Sequence, residues 1–243
     1  MCGRYAMAQS QEEIVAFFNL TADESNPTLP LNWNIAPTNE IYIVKDVTTS
    51  PSTTSLDTAS WGMIAPWQKS ITEARASQSH AINARSESIF EKPTFRDAFR
   101  TSRCLIPATG YYEWATSLGK YSPKQPFYIS HRDGQPLSIA GIWSSWRSEG
   151  GEIIQSASII TREAVGDLAT IHSRMPVFMP RDRWEHWLDR GNRDIENLRA
   201  MMELADPLQG VVARPVSSRV NVVANNGPGL IEEIELGEPE TLF

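Results

Sequence analysis

The feature that most constrains this chain is a succession of short apolar runs, each closed by turn formers, through its middle. Residues 103–106, 111–115, 127–130, 137–143 and 153–160 are rich in β-branched and aromatic side chains and too short for core helices. Residues 41–44, 210–214 and 220–223 extend the set on either side. Helical periodicity is confined to residues 11–19, with Ser10 placed to cap them, and to 94–101, 163–170, 181–190 and 195–204. Residues 26–37 read as an ordered loop, and the Ser/Thr-rich residues 48–60 as a surface excursion. The expected class is α+β: a single compact β-rich domain around an antiparallel sheet or barrel-like core, with flanking helices. At 243 residues the chain suffices for one such domain, expected over 1–229, with an acidic C-terminal tail over 230–243.

The net charge of −7 argues against indiscriminate nucleic-acid binding. That charge is uneven. Glu232, Glu233, Glu235, Glu238 and Glu240 cluster at the end, whereas Lys69, Arg75, Arg85, Lys92, Arg96, Arg100 and Arg103 outnumber the acids around them. A local basic face and a solvated mixed surface are both compatible with this pattern. Two cysteines are too few for a disulfide framework or a Cys-rich zinc site, and the four histidines lack metal-ligand spacing. No metal or cofactor is expected. No apolar run approaches the ~20 residues of a membrane helix, and the N-terminus lacks the plan of a secretory signal. A cytoplasmic location is expected, with no membrane partner.

Chemistry centres on Cys2. Methionine aminopeptidase removes Met1 when the next residue is small. The exposed cysteine would then carry an α-amine of pKa ~7.7–8.0 beside a thiol of pKa ~8.5. The amine can condense with an aldehyde to an imine, and the thiol can close a five-membered thiazolidine. An internal cysteine cannot, because its nitrogen is an amide. Position alone does not distinguish this from an incidental second residue.

Other segments carry polar groups suited to a site. Asn83 can donate and accept hydrogen bonds, and Arg85 can grip a phosphate. The same residues also suit a plain turn leading into a helix. Glu113 lies among Tyr111, Tyr112 and Trp114, surroundings that raise a carboxyl pKa, or it faces solvent from a strand whose aromatics face inward. His172 and Arg174 suit acid–base work and anion binding, or a structural loop. Trp67, behind Pro66, suits stacking on bases or core packing. Cys104 sits in an apolar run and is expected to pack as a small hydrophobe.

Taken in order, these segments resemble the SRAP (SOS response-associated peptidase) family. The resemblance runs from Met1-Cys2-Gly3-Arg4-Tyr5 through Asn34-Ile35-Ala36-Pro37, Trp61-Gly62 with Pro66-Trp67, and Ile82-Asn83-Ala84-Arg85-Ser86-Glu87. It continues through Arg103-Cys104-Leu105-Ile106-Pro107, Gly110-Tyr111-Tyr112-Glu113-Trp114, Ala140-Gly141-Ile142-Trp143 and His172-Ser173-Arg174-Met175-Pro176, ending near Gly229. Residues 48–60 and the tail after Gly229 match none of its motifs.

A monomer is expected, and the resemblance implies that it binds single-stranded DNA and crosslinks to abasic sites through Cys2, as a thiazolidine with the ring-opened sugar. Autoproteolysis or an aminopeptidase would remove Met1, so peptidase (hydrolase) and lyase chemistry are both implied, and the protein would be nucleoid-associated when on DNA. Asn83 would orient the reacting groups, Glu113 act as acid/base and His172 handle protons at the sugar. Arg4, Arg85 and Arg174 would contact phosphates, and Trp67 would form part of a wedge. Two other readings stay open on sequence alone: a cysteine peptidase or N-terminal-nucleophile amidohydrolase using Cys2 with His172 and Glu113, and a non-catalytic reader of modified bases.

Overall fold

A computed structural model of the chain describes residues 2–21, 28–47, 54–116 and 124–236. Along the chain these form β1 (Arg4–Met7), α1 (Gln11–Phe18), β2 (Asn32–Ile35), β3 (Glu40–Asp46), β4 (Thr54–Trp61), α2 (Ile71–Gln78), β5 (Asn83–Arg85), α3 (Arg96–Thr101) and β6 (Arg103–Ala108). Then come β7 (Gly110–Trp114), β8 (Pro126–His131), β9 (Leu137–Arg147), β10 (Ile153–Glu163), β11 (Arg174–Pro176), α4 (Trp184–Leu188), α5 (Ile195–Met202) and β12 (Val211–Pro215).

Strands β10, β4, β3, β6 and β9 pair in that order, and a β9–β10 pairing closes the ring into a five-stranded barrel. Closure leaves these strands no free edge. The long β10 runs on past the ring, where β5 and β11 attach to it. A second, open sheet has the order β12-β8-β7-β1-β2 and is antiparallel throughout. Its Tyr5, Tyr111 and Ile129 share one buried cluster with the barrel's Ile43, Leu105 and Ile159. The molecule is therefore the β-rich α+β domain with flanking helices that the turn-punctuated runs lead one to expect.

Strand periodicity sorts side chains between two cores. Tyr111 faces the shared core, whereas Tyr112 turns to a smaller cluster with Ala6, Tyr128, Val216 and Val220. Cys104 is fully buried on β6, where a Cβ added to Gly141 would come within 3.0 Å of its sulfur. It packs as the small hydrophobe anticipated. Ser10 caps α1 as expected: Glu13 N–H donates to its Oγ at 3.3 Å, and the Ser10 N–H donates back to Glu13 Oε2 at 2.7 Å.

Several local expectations need correction. Of residues 26–37, Asn32–Ile35 form strand β2, and of 48–60 the residues from Thr54 on form β4; residues 26–27 and 48–53 lie outside the described residues. β4 was hidden because its outward positions are Ser, Thr and Asp, yet β-branched Thr suits a strand, and Leu56, Ala59 and Trp61 supply a buried face. Residues 163–170 are not one helix: β10 continues to Glu163, and a 3-10 turn occupies Gly166–Thr170. Residues 220–223 are not a strand. A 3-10 turn over Ser218–Asn221, capped by Ser217, ends there, and Val222 and Val223 are exposed. The segment after Gly229 stays packed for several residues, with Leu230 buried and the Ile234 N–H donating to Pro215 O at 3.0 Å; residues 237–243 lie outside the described residues.

Arg103 explains why a charged residue opens a strand of buried side chains. Its guanidinium donates to Phe99 O at 2.8 Å and Arg100 O at 2.7 Å, carbonyls near the end of α3. It also donates to Trp187 O at 2.7 Å, Asn192 O at 3.0 Å and Asp189 O, at and beyond the end of α4. Helix ends leave such carbonyls without intrahelical partners, and an Arg fork serves several at once. Burial lowers its pKa to about 10, which still leaves it charged at neutrality. Arg103→Met is expected to cost roughly 2–4 kcal/mol in urea unfolding, because buried carbonyls lose a charged donor. A loss below about 1 kcal/mol would show that water replaces the guanidinium.

Candidate functional site

The ends of both sheets meet at Cys2. Arg4 pairs with Tyr112, and continuing that antiparallel register brings Gly3 level with Glu113 and Cys2 level with Trp114. Cys2 is fully buried, and its thiol accepts a hydrogen bond from the Arg4 backbone N–H. From the barrel side, Asn83 Nδ2 donates to Cys2 O at 2.8 Å. Asn83 is itself held through its neighbours: Trp61 Nε1 and Ile159 N both donate to Ile82 O at 3.0 Å. The buried Asn83 Oδ1 has no hydrogen-bond partner among the described residues, so an acceptor stands ready beside the chain's amino end.

Glu113 faces inward with Tyr111 and is 4% exposed, which disposes of the solvent-facing alternative. Burial pushes its pKa up to about 7, against an opposing pull from the positive amino terminus. His172, in the loop before β11, brings Nδ1 to 3.3 Å from Glu113 Oε1. The same Nδ1 accepts the Arg174 backbone N–H at 3.0 Å, so it cannot also donate to Glu113. Burial, reinforced by the amino terminus, lowers the His172 pKa. A neutral imidazole here carries its proton on Nε2, and Glu113, titrating near neutrality, is available in both protonation states. The Cys2 thiol is pushed above its ordinary range, chiefly by burial and then by Glu113, and stays protonated at rest.

Cys2, Asn83, Glu113 and His172, far apart in the chain, thus share one site. The cations fare differently. Arg85 is exposed on the same strand as Asn83, two residues on, and its side chain makes no ion pair or hydrogen bond among the described residues. Arg4 is already engaged: its Nη1 donates to Asn34 Oδ1 at 2.7 Å and Val220 O at 2.9 Å. Asn34, buried, donates onward to Val222 O at 3.0 Å and Asn225 O at 2.9 Å, so the pair braces the turn after Ser217 against β1 and β2. Arg174 forms a two-pronged ion pair with Glu87, at 2.6 and 2.9 Å. Trp67 is 53% exposed on the loop after β4, and no hydrogen bond or ring contact joins it to the four central residues among the described residues. The roles of Asn34 and Glu87 carry no sequence signal of their own, because each depends on a partner distant in the chain.

A polar cavity of about 580 Å³ lined by Thr38, Glu40, Arg75, Gln78 and Gln155 includes none of these groups. The nucleophilic and titratable groups, not this cavity, mark the site. Among the described residues no three His, Cys, Asp or Glu side chains are grouped to hold a metal ion.

Comparison with known proteins bears on what this geometry does. A family model described as "SOS response associated peptidase (SRAP)" matches residues 1–223. The abasic site processing protein YoqW of Bacillus subtilis (strain 168) is 32% identical over 233 residues, covering 96% of this chain and 99% of that one. The abasic site processing protein HMCES of Gallus gallus is 31% identical over 201 residues, covering 74% of this chain and 58% of that one. Among solved structures, a protein from Bacteroides thetaiotaomicron superposes with a TM-score of 0.81 at 23% identity, covering 96% of this chain and 100% of that one, and so supports the fold. A Bordetella bronchiseptica protein gives a TM-score of 0.72 at 28% identity, over 89% of this chain and 100% of that one.

Proposed function

Because the chain belongs to the SOS response associated peptidase (SRAP) family, we propose that it processes abasic sites in single-stranded DNA by bonding covalently to them through Cys2. The observation that carries this reading is the convergence of Cys2, Asn83, Glu113 and His172 from four separate segments. Its relatives' names point to the same lesion.

The chemistry balances. Removal of Met1, by aminopeptidase or by the chain itself, frees the Cys2 amine. That amine adds to the aldehyde carbon of the ring-opened sugar. The resulting hydroxyl leaves as water, with Glu113 supplying the proton. The thiol then adds across the C=N bond: sulfur joins carbon, and its proton passes to nitrogen. One water is released in all. Asn83 Oδ1 is suited to hold the amine, and His172 to shuttle protons at the sugar. Capture as a ring removes the aldehyde that drives strand-breaking elimination.

The reading places a monomer on DNA, with Trp67 against bases. Of the three arginines, Arg85 is the one left for phosphate, while Arg4 and Arg174 act as braces. Arg85→Ala is therefore expected to weaken binding to single-stranded DNA and to lower the slope of log affinity against log salt by ~0.7. Anisotropy titrations at several salt concentrations measure this, and an unchanged slope would remove Arg85 from the DNA contact. The function itself is tested by incubating the protein with an abasic oligonucleotide. A denaturation-resistant adduct is expected, whereas a peptidase or a non-covalent reader would yield none.

A further inference from the structure

We infer that Glu87 is a positioning residue for His172: its two-pronged pair with Arg174 ties the His172 loop to the Asn83 strand and so holds the imidazole in one tautomer. The inference rests on the reading of His172 as a proton-handling group.

The geometry is a chain of short contacts. Glu87 lies two residues past the end of β5, on the segment that carries Asn83 and Arg85. Its carboxylate takes Arg174 Nη1 at 2.6 Å and Nη2 at 2.9 Å. Arg174 Nη2 also donates to Thr161 O at 2.8 Å on β10, the strand to which both β5 and β11 attach. The Arg174 backbone N–H then donates to His172 Nδ1 at 3.0 Å. Fork-to-fork Arg–carboxylate pairs fix orientation as well as distance. Here the fork joins the segment just past β5, the strand that carries Asn83, to the start of β11, just past the loop that carries His172.

Two features argue against a surface pair of little consequence. The Arg174 side chain is only 15% exposed. Its charge also bears on its neighbour, because Arg174 is one of the groups that lower the His172 pKa, after burial and the amino terminus. Glu87 offsets that charge, and Arg174 holds the Glu87 carboxyl below its ordinary range. Among the described residues, the charged or titratable groups placed against His172 include Glu113, Arg174 with Glu87 behind it, and the amino terminus. The pairing sets a DNA phosphate in competition with Glu87 for the Arg174 fork.

The test uses full-length protein labelled with nitrogen-15, with the His172 ring signals assigned by loss in His172→Gln. Wild type should show a single neutral tautomer, with Nδ1 bare and Nε2 protonated. Glu87→Gln keeps the shape but loses the charge; it should give a mixture of tautomers and slow crosslinking by roughly tenfold to a hundredfold, the scale of a small misplacement. DNA affinity should hold or rise, since Arg174 is unmasked. Glu87→Asp, which keeps the charge, should restore most of the rate, and it serves in its place if Glu87→Gln fails to fold, then showing wild-type tautomer signals. An unchanged His172 spectrum in folded Glu87→Gln would overturn the inference whatever the rate. A changed spectrum with an undiminished rate would uphold the positioning and overturn the role given to His172.

Discussion

Replacing Cys2 by alanine, in a chain that has lost Met1, is expected to abolish the heat-stable adduct with abasic DNA while leaving a species that borohydride traps. The substitution keeps the α-amine and removes only the thiol. Imine formation needs the amine alone, so condensation with the aldehyde continues. The ring cannot close, and the imine stays open to hydrolysis or to elimination at the sugar, so the variant should also nick the strand as a lyase. Alanine at a fully buried position leaves a small void, so the variant should remain folded. A denaturing gel of both proteins on one oligonucleotide, with and without borohydride, reads every species. If sulfur alone made the bond, the substitution would remove the trappable species as well. A heat-stable adduct from Cys2→Ala would end the thiazolidine account.

Glu113→Gln is expected to slow crosslinking by ~10²–10⁴-fold, the contribution typical of a general acid–base group. Its pH dependence separates this from a packing defect. The amine must be deprotonated, so the wild-type rate should rise toward its pKa of ~7.7–8.0. It should fall again as Glu113, near 7, gives up its proton, leaving an optimum near neutrality. In Glu113→Gln the falling limb should vanish. Stability should move the other way. The folded-state pKa, about 7, is the higher one, against 4.5 for the free group. The stability that the protonated group confers is thus fully present below about 4.5 and is lost as pH rises through about 7. From about pH 4 to about pH 8 the variant should gain about 3 kcal/mol relative to wild type. A wild-type rate profile in the variant, or no relative gain in urea unfolding, would return Glu113 to a packing role.

Much of the frame was legible from periodicity. β6 through β10 are turn-punctuated apolar runs, and each occurs where its residues suggest. β4 was not legible, because Ser, Thr and Asp dominate its outer face, and only its place in a closed barrel makes that face acceptable. β1 is four residues long, too short for any pattern, yet it is an inner strand of the open sheet, between β7 and β2, and Cys2 lies two residues before its start. The central residues were legible as motifs, and their spatial relation was not. Asn83 meets the Cys2 carbonyl only because β5 attaches to β10, and Glu113 faces inward only because Tyr111 does. The arginines show the limit most clearly. Arg4, Arg85 and Arg174 look alike in sequence, but what each does depends on Asn34 and Glu87, whose pairings are set by topology.

The most direct test of the central claim is the intact mass of the conjugate formed with an abasic single-stranded oligonucleotide, recorded after denaturation. The account predicts one conjugate, with the mass of the chain lacking Met1 plus the oligonucleotide minus a single water. A peptide map should place the attachment on Cys2. A conjugate that retains Met1, an attachment at another residue, or no conjugate at all from folded protein beginning at Cys2 would contradict it.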